Sequence, residues 1–364
     1  MQPINYLDGF SGYGGFHLAL KQSGYVFNKV WFSEIDKYAI ANYRYNNPDS
    51  IHAGSITDIP TNGIIDRLDL FTFGWPCQDN SIAGKRKGQQ PGTRSGLLYS
   101  AVEVIDKYKP RIFIAENVEG LRSVNKGIDI VESFKILSFL NDSCPQYDIE
   151  MQLLNTRWFL PQNRERLYFV GHLRKSGTRK VFPITKGASK NFKEAVQPSD
   201  GIVSGAINTK NNSGQLSVGS GTVLIITERG LGHNSLNYSY TETPPLSSRN
   251  GASHDIMILS KKYKRGESQG SRVYDMNGIS QTINSKGGGQ GAKTGLYEIG
   301  DKVRRLTPVE CERLQGLPDN YTKYGLFNSV IKEISDTQRY ALTGNGVSIP
   351  VVKSITDKLK VNFS

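Results

Sequence analysis

Through its first half the chain alternates short apolar runs with stretches whose apolar positions recur at helical spacing. Residues 4–8, 29–33, 69–73 and 111–115 read as strands, and 51–58 as a short strand with its turn. Residues 16–23, 95–108 and 128–140 read as helices, the second through Leu97, Leu98, Ala101, Val104, Ile105 and Tyr108. Repeated strand–helix pairs predict an α/β fold, a parallel sheet with helices on both faces. Open sheets of this kind bind ligands beyond the carboxyl ends of their strands. The residues at those ends are therefore the candidates for chemistry.

The first strand runs into Gly9-Phe-Ser-Gly-Tyr-Gly-Gly15, a turn that lets backbone approach a ligand at a helix amino end. Its spacing is not the dinucleotide fingerprint, and a glycine turn alone is more often only a turn. The second strand ends on Glu34-Ile-Asp36, where an acid can accept both hydroxyls of a ribose. Asp36 reads equally well as the acidic start of the next helix. The strand at 69–73 stops at Gly74-Trp-Pro-Cys77, which brings Cys77 to the sheet edge as either a small buried hydrophobe or a nucleophile. The strand at 111–115 delivers Glu116 to the same edge. Arg164 and Arg166 alternate along a further strand, 164–170, and so share a face. Between Gln78 and Arg94 lie Ser81, Lys85, Arg86, Lys87 and Arg94 among glycines, either a basic surface loop or one that closes over a polyanion.

Residues 186–300 shift to Gly, Ser, Asn and Thr, the composition of a linker or of a small loop-rich β domain. Three similar heptads favour order: Ala206-Ile-Asn-Thr-Lys-Asn-Asn212, Pro245-Leu-Ser-Ser-Arg-Asn-Gly251 and Thr282-Ile-Asn-Ser-Lys-Gly-Gly288. Each has one aliphatic anchor for a small core, then hydroxyls, amides and a cation suited to phosphates and base edges. The formal net charge of +12 likewise favours a polyanionic partner. No basic-then-apolar leader opens the chain, and no apolar run is long enough to cross a bilayer. Cys77, Cys144 and Cys311 are odd in number, and neither they nor His17, His52, His172, His233 and His254 show ligand spacing. Free thiols in a reducing cytoplasm, and no metal, are the expectation. Thr307, followed by Pro308 and Glu310, reads as a capped helix start.

Six segments in order resemble the cytosine-5 DNA methyltransferases of bacteria and phages. They are Asp8-Gly-Phe-Ser-Gly-Tyr-Gly-Gly15, Gly74-Trp-Pro-Cys-Gln78, Glu116-Asn-Val118, Gln162-Asn-Arg-Glu-Arg166, the stretch from Arg304 to Gly316, and Gly344-Asn-Gly346. The resemblance spans both ends of the chain. It implies the methyltransferase sheet, S-adenosylmethionine as cofactor, a smaller β target-recognition domain, and attack on a cytosine flipped out of double-stranded DNA. Cys77 would add to carbon 6 of the base, Glu116 would meet ring nitrogen 3, and Arg164 and Arg166 would hold the acid, the base carbonyl and the Cys77 loop.

On the cofactor side the resemblance points to Phe10, Ser11, Gly12 and Gly15 around the methionine and sugar, Glu34 at the ribose and Ile35 on the adenine. Ser55 and Ile56 would flank the adenine, Pro76 the sulfonium, and Asn345 would complete the pocket. Relatives carry Asp where this chain has Ser55, which leaves open whether Ser55 or Asp58 meets the adenine amino group. Trp75 stands where Phe or Pro is common. DNA contacts are expected from Ser81, Lys85, Arg86, Lys87 and Arg94, and from Arg272, Ser285 and Lys286 of the third heptad region. The implied domains are 1–185 for cofactor and catalysis, 186–300 for target recognition, and 301–364 returning to the first. A cytoplasmic monomer is expected, with a cognate restriction endonuclease acting separately. Two alternatives stand beside this reading: a transfer RNA cytosine-5 methyltransferase, and a DNA-binding relative that has lost catalysis.

Overall fold

The first strands are buried on both faces, which is why they read as continuous apolar runs and not as alternating ones. The computed structural model describes residues 2–76, 96–123, 127–174, 176–185, 223–226, 238–241, 272–275, 280–285, 295–299 and 302–363. The first half of the chain contains β1 (Ile4–Gly9), α1 (Gly15–Gln22), β2 (Phe27–Ser33), α2 (Lys37–Asn46), β3 (Ile51–His52) and α3 (Ile59–Asn62). Next come β4 (Leu70–Gly74), α4 (Leu97–Tyr108), β5 (Ile112–Val118), α5 (Ile128–Phe139), β6 (Tyr147–Asn155) and β7 (Glu165–Leu173). Strands β8 (Val223–Ile226) and β9 (Tyr238–Thr241) join them in a sheet ordered β3-β2-β1-β4-β5-β7-β6-β8-β9. Strands β1 to β5 pair in parallel, and β7 turns antiparallel to β5.

The two-residue side-chain period sorts the core into two layers. Tyr6, Ile112 and Ile114 face one layer with Phe16, Leu20 and the helix α8 (Ile349–Leu359). Leu7, Phe113 and Ala115 face the other, with Val104 and Ile105 of α4 and Phe134 of α5. The strand order reverses at β1, with β2 on one side and β4 on the other. The crevice at such a reversal is where an open α/β sheet binds its ligand.

A smaller sheet joins β10 (Val273–Asp275), β11 (Leu296–Ile299) and β12 (Lys302–Arg304). The helix α6 (Pro308–Gln315) starts from a capping box between Thr307 and Glu310, the start its sequence predicts. Ile283, the aliphatic anchor of the third heptad, is buried with Tyr274, Tyr297, Leu306, Cys311 and Leu314. The first two heptads lie outside the described residues. The chain ends with a hairpin, β13 (Tyr324–Phe327) and β14 (Val330–Glu333), then α7 (Asp336–Asn345) and α8. Among the described residues, no helix is long and apolar enough to cross a membrane. Nor do any three His, Cys, Asp or Glu side chains there gather as metal ligands.

Candidate active site and cofactor edge

Beyond β1 the chain turns sharply, with positive φ at Phe10 (51°), Gly12 (53°) and Gly14 (84°). Glu34, at the end of β2, holds this turn: its Oε2 accepts from Gly12 N at 2.9 Å. Its Oε1 accepts from Ile35 N at 2.7 Å and Asp36 N at 2.9 Å. Asp36 serves the helix instead, its Oδ1 accepting from Tyr38 N and Ala39 N at 2.9 Å each. Asp36 thus takes the helix-start role that its position allowed, and Glu34 stays on the turn.

The residues around this turn suit a nucleoside. Ile35 is 79 % exposed, an apolar face set beside a carboxylate. Nothing lies within 4 Å of where a Cβ on Gly12 would stand, so there is open space above the turn. Ser11 Oγ is buried without a hydrogen-bond partner. A carboxylate with a lone pair to spare, an apolar platform and an unpaired hydroxyl fit the diol, ring and polar edge of S-adenosylmethionine. Ile56 is buried in the core with Ala53 and Ile59, whereas Ile35 is exposed. Ser55 Oγ lies 2.9 Å from Thr57 Oγ1, and Thr57 Oγ1 donates to Asp58 Oδ1 at 3.1 Å. Asp58 makes no side-chain cap to its own helix, and its Oδ2 lies 3.8 Å from an ideal Cβ on Gly54.

The edge that carries Glu116 is built by register. Gly74, the last residue of β4, pairs with Glu116 of β5. A Cβ on Gly74 would stand 3.1 Å from Glu116 Oε2, so glycine here makes room for the carboxylate. Across β7, Arg166 is opposite Val118 and therefore on the same face as Glu116. Its Nε donates to Glu116 Oε1 at 3.0 Å. Burial raises the Glu116 pKa, an effect that the positive charges of Arg166 and then Arg164 oppose without cancelling. Asn117 ties the two strands, its Nδ2 donating to Trp75 O at 3.1 Å.

Arg164 shares the face but grips different partners. Its Nη2 donates to Gly346 O at 2.7 Å and Gly344 O at 3.3 Å, and its Nη1 to Ile283 O at 3.3 Å. Burial and the neighbouring Arg166 lower its pKa to about 10, which leaves it cationic at neutral pH. Asn345, between those two glycines, is exposed. Two buried amides complete the seam. Gln162 Nε2 donates to Leu314 O at 2.6 Å while its Oε1 accepts from Ile283 N at 3.3 Å. Gln315 Nε2 donates to Thr343 O at 2.7 Å.

Glu34, Gly12 and Ser11 therefore meet at one edge, Gly74, Glu116 and Arg166 at another, and Arg164 joins the far end of the chain to the third heptad. The heptad's Thr282 hydroxyl points inward and donates to Asn163 O at 2.6 Å, while Ser285 is half-buried against Gly344. Arg272 is half-buried next to β10. Pro76 is half-buried just beyond β4. Cys77, Ser81, Lys85, Arg86, Lys87, Arg94 and Lys286 lie outside the described residues. Sequence reasoning assigned no role to Gly74, Asn117, Gln162 or Gln315, although all four sit inside the quoted motifs.

The sheet, its reversed strand order and the two acid-bearing edges define an α/β fold of the methyltransferase class. The solved S. pombe Dnmt2 methyltransferase has the same fold, with a TM-score of 0.62 at 16 % identity over 99 % of both chains. Residues 4–361 match the family model of C-5 cytosine-specific DNA methylases, and the chain belongs to that family. It is a DNA methyltransferase. The type II methyltransferase M1.ScrFI of Lactococcus lactis subsp. cremoris is 30 % identical over 97 % of this chain and 77 % of its own length. The orphan methyltransferase M.Rho11sI of Bacillus phage rho11s is 31 % identical over 83 % of this chain, which spans 62 % of that relative.

Proposed function

We propose that this enzyme methylates carbon 5 of cytosine within a short double-stranded DNA sequence, through a transient bond from Cys77 to a base rotated out of its stack. One observation carries the reading. Glu116 lies against Gly74, paired with Arg166, and Cys77 follows only three positions after Gly74. At about 3.5 Å per residue, that span keeps the thiol and the acid within reach of one nucleobase.

In this reading the Cys77 thiolate adds to carbon 6, and electron density moves onto the ring, toward nitrogen 3. The Glu116 carboxyl hydrogen-bonds and protonates nitrogen 3, so carbon 5 becomes an enamine carbon. S-adenosylmethionine supplies the electrophilic methyl group. Glu34, Ile35, Ser11 and Gly12 would hold that cofactor, with Phe10, Gly15, Ser55, Ile56, Pro76 and Asn345 around them. Loss of the carbon 5 proton to solvent then expels the Cys77 thiolate, and nitrogen 3 returns its proton to Glu116 as the neutral ring is restored. Ser81, Lys85, Arg86, Lys87 and Arg94 would meet the DNA backbone, and Arg272, Ser285 and Lys286 the target. We place the enzyme in the cytoplasm as a monomer, with residues 186–300 reading the sequence and a restriction endonuclease, where one is paired, acting separately.

Bisulfite sequencing of plasmid DNA from cells expressing the chain tests this directly. Protected cytosines within one short sequence are expected. Complete conversion with folded protein present, or methyl transfer to transfer RNA in place of a duplex, would overturn it. The cofactor assignment has its own test. Replacing Glu34 by Gln exchanges a charged acceptor for a neutral one, and hydrogen bonds to charged groups contribute about 1.5–3 kcal/mol. S-adenosylhomocysteine binding, measured by titration calorimetry, should weaken about 10- to 100-fold. Unchanged affinity would remove Glu34 from the pocket.

A further inference from the structure

Tyr13 belongs to the glycine turn, yet its side chain turns away from the open space above Gly12. It is fully buried, and its ring meets Tyr321 edge-on at 6.2 Å. A Cβ on Gly346 would stand 1.9 Å from Tyr13 Cε1, so the ring rests directly on backbone. The phenol donates a hydrogen bond to Val347 O. Burial keeps the hydroxyl protonated across the physiological range, so it acts as a donor. A glycine turn needs none of this. An aliphatic side chain would fill the space and leave the Val347 carbonyl without that donor.

The other side of the same short segment carries the third heptad. A Cβ on Gly344 would stand 2.2 Å from Ser285 N and 2.3 Å from the Asn284 carbonyl carbon. Arg164 bridges both sides through Gly344 O, Gly346 O and Ile283 O. Residues 344–347 are thus a slab of backbone between the cofactor turn and the heptad. At both glycines the layers touch without an intervening side chain. Close-packed layers have low compressibility, so a shift on one face is carried to the other.

We propose that Tyr13 is a positioning residue that transmits occupancy of the cofactor turn, through Gly346 and Gly344, to Asn284 and Ser285. This rests on the cofactor reading of the Gly12 turn given above. Linkage makes the effect reciprocal: a target held by the heptad tightens cofactor binding by the same factor.

Hydrogen–deuterium exchange on the full chain, with and without S-adenosylhomocysteine, tests the proposal without any DNA. In the wild type, saturating ligand should slow exchange at the 283–285 amides about fivefold, the lower end of ordinary coupling. Tyr13→Phe, which keeps the ring, should retain part of that slowing, and Tyr13→Leu should lose it. Calorimetry on the same samples confirms that each protein binds the ligand. A wild type that binds the ligand but leaves 283–285 unchanged would overturn the transmission while leaving the cofactor reading intact. A wild type that does not bind it would overturn both. Equal slowing in Tyr13→Leu would overturn the role of Tyr13, because a purely structural tyrosine alters basal exchange and leaves the ligand-induced change in place.

Discussion

Replacing Cys77 by Ser should reduce turnover by at least about 10⁴-fold, the scale seen when a catalytic nucleophile is removed. Carbon 5 of cytosine is too weakly nucleophilic to take a methyl group until sulfur has added at carbon 6. A serine hydroxyl stays protonated at neutral pH, whereas a free thiol of pKa about 8.5 is already a few per cent thiolate. Binding of duplex DNA should survive, because the exchange changes one atom and no charge on the basic surface. Two measurements separate chemistry from binding. With S-adenosylmethionine present, wild type should form a complex with a 5-fluorocytosine duplex that persists on a denaturing gel, since after methyl transfer fluorine cannot leave carbon 5 as the proton does. The Ser variant should give no such band, yet shift the same duplex on a native gel. Substantial turnover by the variant would sink the covalent route.

Much of this site was legible in the chain because strand ends and a two-residue period are local signals. Glu116 and Arg166 fall on one face by alternation and register, and the structure pairs them at 3.0 Å. Pattern separated Glu34 from Asp36 only in part: Asp36 suited a helix start equally well, and Glu34, at the strand end, suited it less. Only the fold shows the first holding Gly12 and the second capping α2. Arg164 shows where the pattern stops. Its face was predictable, but its partners lie 119 to 182 residues further along the chain. The same applies to β6, whose Glu150 and Gln152 alternate with apolar neighbours as if facing solvent. Both are buried, and they accept from the backbone of Val181, Phe182 and Ile184 as a neighbouring strand would. In the third heptad the aliphatic anchor behaved as its pattern requires. The Thr282 hydroxyl turned instead to Asn163 O, beside Arg164. Side-chain polarity announces that a partner is needed, and topology decides which one.

Glu116→Gln should lower kcat by about 10²- to 10³-fold while leaving S-adenosylhomocysteine affinity within about twofold. Glutamine can still offer nitrogen 3 an amide hydrogen, but it has no proton to transfer as charge develops on the ring. The pH dependence sharpens the assignment. Chemistry requires the Cys77 thiolate together with the Glu116 acid, and burial raises the Glu116 pKa above its ordinary value. In the wild type, kcat/KM should rise with pH up to the Glu116 pKa, as thiolate accumulates while the acid stays protonated. Between the two pKa values the gain in thiolate offsets the loss of acid, and the curve is flat. Above the Cys77 pKa the thiolate is complete and only the acid continues to decline, so the rate falls. Removing the titrating carboxyl should abolish that alkaline fall and extend the rise to the Cys77 pKa. The exchange also deprives Arg166 of its anionic partner, so thermal melting of the variant has to show a folded protein before its rate is interpreted. A folded variant that keeps both limbs of the profile would take Glu116 out of the proton transfer and leave it as the ion-pair partner of Arg166.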